Sequence, residues 1–468
     1  MRHALAPLFA LALALVLPGP GRAAERAVAP GAGALAAAIA AAAPGDVLTL
    51  SPGRHDGPVT LDKPLTLQGP GTAPVTGPAG AAPLETRAPD PATEAVIDAH
   101  GTGSVITITA PDAVVRGLTL TGSGSSHQDI DSGVQVKKGG DRAVVDGNRI
   151  VGNLYGVDVH GGQDVTVRGN LIEGRRDRRM NDRGNGVYVW TSPGLVVDGN
   201  VIDWGRDGIY VTIGRKLTFT NNRFTNLRFA VHYMYAHDST IAGNVSLSNH
   251  LGYALMYSER LKVQGNVSLN DRAQGLMFNY TNNSDVTGNL IRGAEKGVFV
   301  YNSHRNIIAG NRFEGCDIGI HFTAGSEKNA ITGNGFLGNR TQVKYVGTRD
   351  VEWSLEGRGN YWSDHANFDL NGDGIADSRF RPNDLMDHVL WSQPAAALLT
   401  GSPVVQLVRY SQSSFPATLP GGVVDSFPLM APPAIALSPE IETAAAAAKA
   451  ARAAQGQDDE QLDPLTAH

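Results

Sequence analysis

Asparagine returns along this chain at a nearly fixed interval, and an interval that short leaves few folds open. Asn148, Asn170, Asn200, Asn222, Asn244, Asn266, Asn289, Asn311 and Asn334 are separated by 22, 30, 22, 22, 22, 23, 22 and 23 residues. Each follows a glycine except Asn222, which follows Asn221. A unit of this size cannot bury its own hydrophobic face, so successive copies must stack on one another. Each copy carries short β-prone runs, such as 157–159 and 195–197, set between Gly, Asn and Asp turns. The pattern predicts an all-β parallel β-helix with one coil per repeat. The eight extra residues between Asn170 and Asn200 are read as a loop thrown out from one coil.

Composition agrees. Fifty-six glycines and only 18 % charged residues in 468 suit a turn-rich solenoid. A formal charge of −6 gives no reason to expect nucleic acid as a partner. Residues 1–23 have the form of an export signal: Arg2 and His3 precede an apolar run over 8–17 that is too short to span a bilayer. Small residues place cleavage after Ala23 or one residue later. The mature protein is therefore expected outside the cytoplasm. Cys316 is the only cysteine and has no intramolecular partner for a disulfide; it reads as a small residue packed at a turn.

The β-helix is expected over 24–345, with an Ala-rich capping helix at 31–43 closing its first coil and a Pro/Ala/Thr-rich loop at 71–93. Residues 346–384 read as irregular and include a calcium-like loop. Residues 385–411 are apolar and helix-prone, interrupted by Pro394 and Pro403. The segment 431–468 reads as a disordered tail in which 443–454 is helix-prone.

Counting back from each ladder asparagine separates inside from outside. Positions −13 and −11 are uniformly apolar, as in Val157/Val159, Ile209/Val211 and Leu276/Phe278. Strand alternation sends −12 and −10 outward. Those columns hold Asp158/His160, Tyr188/Trp190, Tyr210/Thr212, His232/Met234, Ala254/Met256, Met277/Asn279, Phe299/Tyr301 and His321/Thr323. A solvated face would carry Lys, Glu, Ser and Thr instead.

Within this stripe Met234 and Met256 are expected side by side, with His232 and Met277 flanking the small Ala254. Imidazole with thioether is a soft ligand set suited to Cu(I), and His237 and His250 lie in nearby turns. Two other readings stay open. The same residues suit packing against a partner or a returning segment of the chain. They also suit a sugar-stacking groove, as in a secreted polysaccharide-binding or polysaccharide-modifying β-helix. Glycoside hydrolysis needs two carboxylates, whereas the stripe supplies only Asp158, with Asp203 and Asp207 in turns near Tyr210. No catalytic constellation emerges, and no Gly-Lys-Ser/Thr nucleotide loop is present. Asp369, Asn371, Asp373 and Asp377 match the first ligand positions of an EF-hand-type loop, with Gly374 at its turn. Phe380 replaces the usual bidentate Glu, so Ca²⁺ there is expected to be structural.

The runs LRFAVHYMYAHDS (227–239), GYALMYSERL (252–261), GIHFTAGSEKN (319–329), RGNYWSDHANFDLNGDGIADSRFRPND (358–384) and GGVVDSFPLM (421–430) resemble the NosD family. These are periplasmic β-helix proteins of nitrous oxide reductase maturation. The resemblance reaches Met430 and leaves out 71–93 and the tail. It implies a right-handed β-helix, non-enzymatic, docked on an ABC transporter made of an ATPase and a membrane subunit. It also implies copper received from a lipoprotein chaperone and used for the copper centre of nitrous oxide reductase. On that footing His232, Met234, Met256 and Met277 are the candidate copper ligands. His160, Tyr188, Trp190, Tyr210, Phe299, Tyr301 and His321 form a partner-facing stripe, and 385–430 becomes the candidate docking segment.

Overall fold

The computed structural model describes residues 23–71, 88–383 except 324 and 348, 387, 389, 402–414 and 421–455. Almost all of the export signal, the centre of the 71–93 loop and most of 385–401 lie outside the described residues. Among those described, each coil gives one short strand to each of three long parallel sheets of thirteen, twelve and thirteen strands. The twelve-stranded sheet carries the stripe. Its registers pair Tyr210 with His232, His232 with Ala254, Met234 with Met256, Ala254 with Met277 and Met277 with Phe299. The inward columns expected from the count, from Val157 to Phe322, are none more than 2 % exposed. Coils are thus held by a continuous core, since each buries its apolar face only against its neighbours.

The asparagines form a buried wire. The backbone N–H and side-chain Nδ2 of Asn148 donate to Oδ1 of Asn170 at 2.9 and 3.1 Å, and Nδ2 also reaches the Val115 carbonyl. The pattern repeats coil after coil to Asn334. A buried carboxamide is costly unless its donors and acceptor are used, and here they are. The wire runs one rung beyond the nine found by spacing: Asn334 donates to Asn360, 26 residues on. It then ends on Asp425, whose Oδ2 accepts the Asn360 N–H at 2.6 Å and the Trp362 Nε1–H at 2.8 Å. Burial pushes the Asp425 carboxyl upward in pKa, against the pull of those donors.

Both ends are covered. Helix α1 (Ala34–Ala41) lies at the first coil with Leu35 and Ile39 buried. The Lys63 ammonium donates to the carbonyls of Ile39, Ala40 and Ala42, where a helix end leaves acceptors free. At the other end Phe336 stacks on Trp362 at 4.4 Å, and Trp353 is fully buried beside them. The strand Val351–Glu352 pairs with Val423–Val424. Residues 421–430 therefore belong to this end cap, although the sequence places them with the docking segment. The reason is Asp425, a ladder terminator that no periodicity announces.

Two helices follow. Helix α2 (Pro403–Ser414) buries Val405 but leaves Val404, Leu407 and Tyr410 each at least 66 % exposed, one helical turn apart. Helix α3 (Pro439–Gln455) takes in the helix-prone stretch 443–454 and corrects the expectation of disorder for 431–455, while 456–468 lie outside the described residues: Ala444 and Ala445 are buried on Val245, Leu247, Val267, Leu269 and Leu290 of the third sheet. Arg292 pairs with Glu442 at 2.8 Å. A polar, Ala-rich segment becomes ordered because the solenoid offers it an aliphatic outer face. No helix among the described residues is long and apolar enough to cross a membrane.

Candidate functional site

Strand Phe229–His237 places His232 at the centre of the stripe. Its ring is 8 % exposed, edge-on to Tyr210 at 4.8 Å and to Phe229 at 4.9 Å. Nδ1 lies 3.1 Å from Asp207 Oδ2, and the same carboxylate takes Arg228 in a two-pronged pair at 2.8 and 2.6 Å. Burial alone would raise the Asp207 pKa, but the hydrogen bonds from His232 and Arg228 outweigh it and hold the carboxyl down at about 2. An ionised carboxylate only accepts, so Nδ1 carries the proton and Nε2 is the nitrogen left to bind a ligand.

On the neighbouring register positions lies a packed thioether cluster. Met256 and Met277 are buried with Phe229, Leu251 and Ala254, and Met234 and Phe299 pack against them. The Tyr210 hydroxyl donates to Met234 Sδ at 3.7 Å. Alternation explains the grouping: Met234 and Met256 occupy one column, Met277 the next, and Ala254 leaves the space between. His237 stands apart near Glu259, at 3.9 Å. His250 stacks on Phe229 at 6.4 Å, one ring removed from His232.

The remaining stripe residues extend this line in both directions. Tyr188 stacks on Tyr210 at 5.4 Å, and His160 meets Trp190 edge-on at 3.9 Å. Phe299 bridges Tyr301 and His321. Burial, with Lys344 and Lys296 nearby, pushes the His321 imidazole down to about 4. Asp158 lies in an outward column yet is fully buried; desolvation raises its carboxyl to about 7, and Gln135 is its hydrogen-bond partner at 3.2 Å. Asp203 belongs to the third sheet and bonds Asn226, while Asp207 serves His232, so the two sit in separate networks.

Spacing alone missed a second column at position −9. Tyr235, Tyr257 and Tyr280 stack at 5.2 Å along the exposed edge of the stripe, each with positive φ at the strand-to-turn corner. Extending the same count by one residue would have found it.

The acidic loop is closed on itself. Asp369 accepts the Gly372 and Gly374 N–H groups, Asn371 and Asp373 accept N–H groups two residues on, and Asp377 accepts that of Leu370. These amide bonds hold the Asp369 carboxyl below its ordinary pKa. Among the described residues no three His, Cys, Asp or Glu side chains converge as a metal-ligand group. Phe380 packs on Trp362 in the cap. Cys316 is buried, and burial pushes its thiol up to about 11.

Comparison with known proteins gives the same assignment as the motifs. Residues 168–367 match the family described as periplasmic copper-binding protein (NosD). A relative from Stutzerimonas stutzeri named probable ABC transporter binding protein NosD is 38 % identical over 351 residues, 72 % of this chain and 80 % of that protein. A Pseudomonas aeruginosa protein of the same name is 38 % identical over 400 residues, 82 % of this chain and 88 % of its own. Among solved structures, the catalytic unit of a GH87 α-1,3-glucanase from Streptomyces thermodiastaticus overlays with a TM-score of 0.52 at 16 % identity, over 70 % of this chain and 66 % of that one. That likeness is one of fold. With relatives of this identity spanning most of its length, the chain belongs to the NosD family.

Proposed function

We propose that this protein is a periplasmic, non-enzymatic assembly factor that accepts Cu(I) for the copper centre of nitrous oxide reductase. The observation that carries this reading is His232, fixed by Asp207 through Nδ1, on the strand beside two buried methionines, Met256 and Met277, against which the partly buried Met234 packs. An imidazole nitrogen with thioethers favours Cu(I) over hard cations, and the carboxylate behind the imidazole fixes its tautomer and orientation. Copper is cargo here: it arrives from a lipoprotein chaperone and leaves for the client enzyme. The exposed apolar face of α2 suits docking on the membrane subunit of an ABC transporter, whose ATPase supplies the energy.

Anaerobic Cu(I) titration against a competing chelator tests this. The wild-type protein is expected to bind one Cu(I), and Met234→Leu with Met256→Leu and Met277→Leu to weaken it at least about a hundredfold. Because Leu conserves volume, the triple variant should lose little stability, about 1–2 kcal/mol. Equal binding by both proteins would remove copper from the stripe.

We also read the loop from Asp369 to Asp377 as a structural Ca²⁺ site of the end cap. Millimolar Ca²⁺ should raise the melting temperature and EGTA reverse it; a melting curve indifferent to both would leave the loop a plain turn.

A further inference from the structure

Next to His232 the stripe opens into a cleft of 470 Å³, lined by Tyr155, Tyr188, Tyr210, Asn185, Arg206 and His127. His127 bonds the Tyr155 hydroxyl at 3.0 Å and the Asp182 carbonyl at 3.2 Å. The longer unit between Asn170 and Asn200 thus braces the cleft wall through the Asp182 carbonyl. Its charges do not balance. Asp207 is the acid of the lining, and it is committed to Arg228 and His232. Arg206 makes no ion pair among the described residues, and its Nε is buried without a hydrogen-bond partner. The backbone holds that arginine in place: its N–H donates to the Gly184 carbonyl at 2.8 Å and its carbonyl accepts the Arg228 N–H at 2.7 Å.

A partly buried guanidinium donor without a partner is costly unless something supplies an acceptor. Its planar fork matches a carboxylate. We infer that this cleft takes an acidic side chain from a segment of a partner protein, held by Arg206 with the tyrosine hydroxyls around it. A peptide is favoured over a sugar acid by the state of the rings. Tyr188 and Tyr210 stack on one another at 5.4 Å and 21°, so their faces are already used and cannot platform a pyranose. The cleft is lined by His232 and by Tyr210, whose hydroxyl bonds Met234, so a segment seated here would bring its protein beside the copper ligands. That positional point rests on the copper reading; the carboxylate site does not.

The test uses the full mature protein, copper-free in the presence of a chelator. Calorimetry and tryptophan fluorescence (Trp190 lines the cleft) follow titration with an acetylated oligoglutamate peptide, with oligogalacturonate and with inorganic phosphate. The peptide is expected to bind, Arg206→Gln to weaken it about 10- to 100-fold, the range of a lost charge-assisted hydrogen bond, and Arg206→Lys to fall between, keeping charge without the fork. Thermal melting checks that both variants fold, and the lysine variant carries the test should the glutamine one fail to. Peptide binding unchanged in the variants, no peptide binding by the wild type, or binding of galacturonate or phosphate as strong as that of the peptide would each overturn the assignment. Loss of copper binding alone would not touch it.

Discussion

Two outer faces of the same coils carry apolar side chains, and they differ in kind. On the third sheet Val245, Leu247, Val267, Leu269 and Leu290 are aliphatic, and the chain covers them with its own helix α3. On the stripe sheet the corresponding surface is methionine, histidine and aromatic, with a hydrogen-bonded imidazole at its centre and an open cleft beside it. Outward apolarity alone therefore does not mark a binding face on this solenoid. Aliphatic columns ask only for cover. Thioether, imidazole and unpaired guanidinium ask for specific partners.

That contrast can be broken experimentally. Deleting 431–468 should have the largest effect on stability. Each uncovered Val or Leu loses up to about 1.5–3 kcal/mol, partly offset by the entropy no longer spent ordering the strap. A net loss on the order of 3–5 kcal/mol is expected, with dye binding and self-association through the exposed patch. Cu(I) affinity should not change. A shared loss of copper binding would mean that the two faces are coupled rather than independent.

Asp158→Asn addresses the stripe's one buried acid. Its carboxyl has a pKa of about 7 in the folded protein against an ordinary 3.8. Between those values the native state keeps a proton that the unfolded state has released, so stability falls as pH rises from 3.8 through 7 and is level above it. The asparagine removes that penalty. It should raise stability on the order of 2–4 kcal/mol at pH 8 and much less at pH 4.5, read by denaturant melts at both values. An equal effect at both pH values would show the burial penalty to be absent.

Asp207→Asn sharpens the other side of the contrast with the smallest effect. Losing the carboxylate behind the imidazole should weaken Cu(I) binding about 10- to 100-fold, in a fold still verified by circular dichroism. Undiminished affinity would take His232 out of the ligand set.

The coil architecture and the inward columns were legible because stacking in register converts a spatial relation into a sequence period. Met234, Met256 and Met277 could be grouped by counting for the same reason. The end cap was not legible. Asp425 reaches Asn360 across 65 residues, and no period encodes a contact made once. The second partners of the site lie outside the alternating count: Asp207, expected in a turn, opens the strand Asp207–Arg215 and holds His232, while Arg228 holds Asp207 in turn. The composition of 431–468 is polar and Ala-rich, which predicts disorder with a helix-prone stretch at 443–454, whereas helix α3 is longer and docked. What orders it is the Val/Leu face on distant coils, present in the sequence as residues just after the ladder asparagines.

The asparagine wire also gives the molecule a direction and a stop. Every asparagine-to-asparagine bond donates toward the higher-numbered coil, and the last acceptor is a carboxylate, which has nothing further to donate when ionised. Length is thereby separated from the two ends. A coil added or lost in the middle leaves both α1 and the Asp425 terminus as they were, provided it brings its own asparagine. Proteins of this design can change the distance between either end and a site on a lateral face in steps of one strand spacing, about 4.8 Å, without redesigning either.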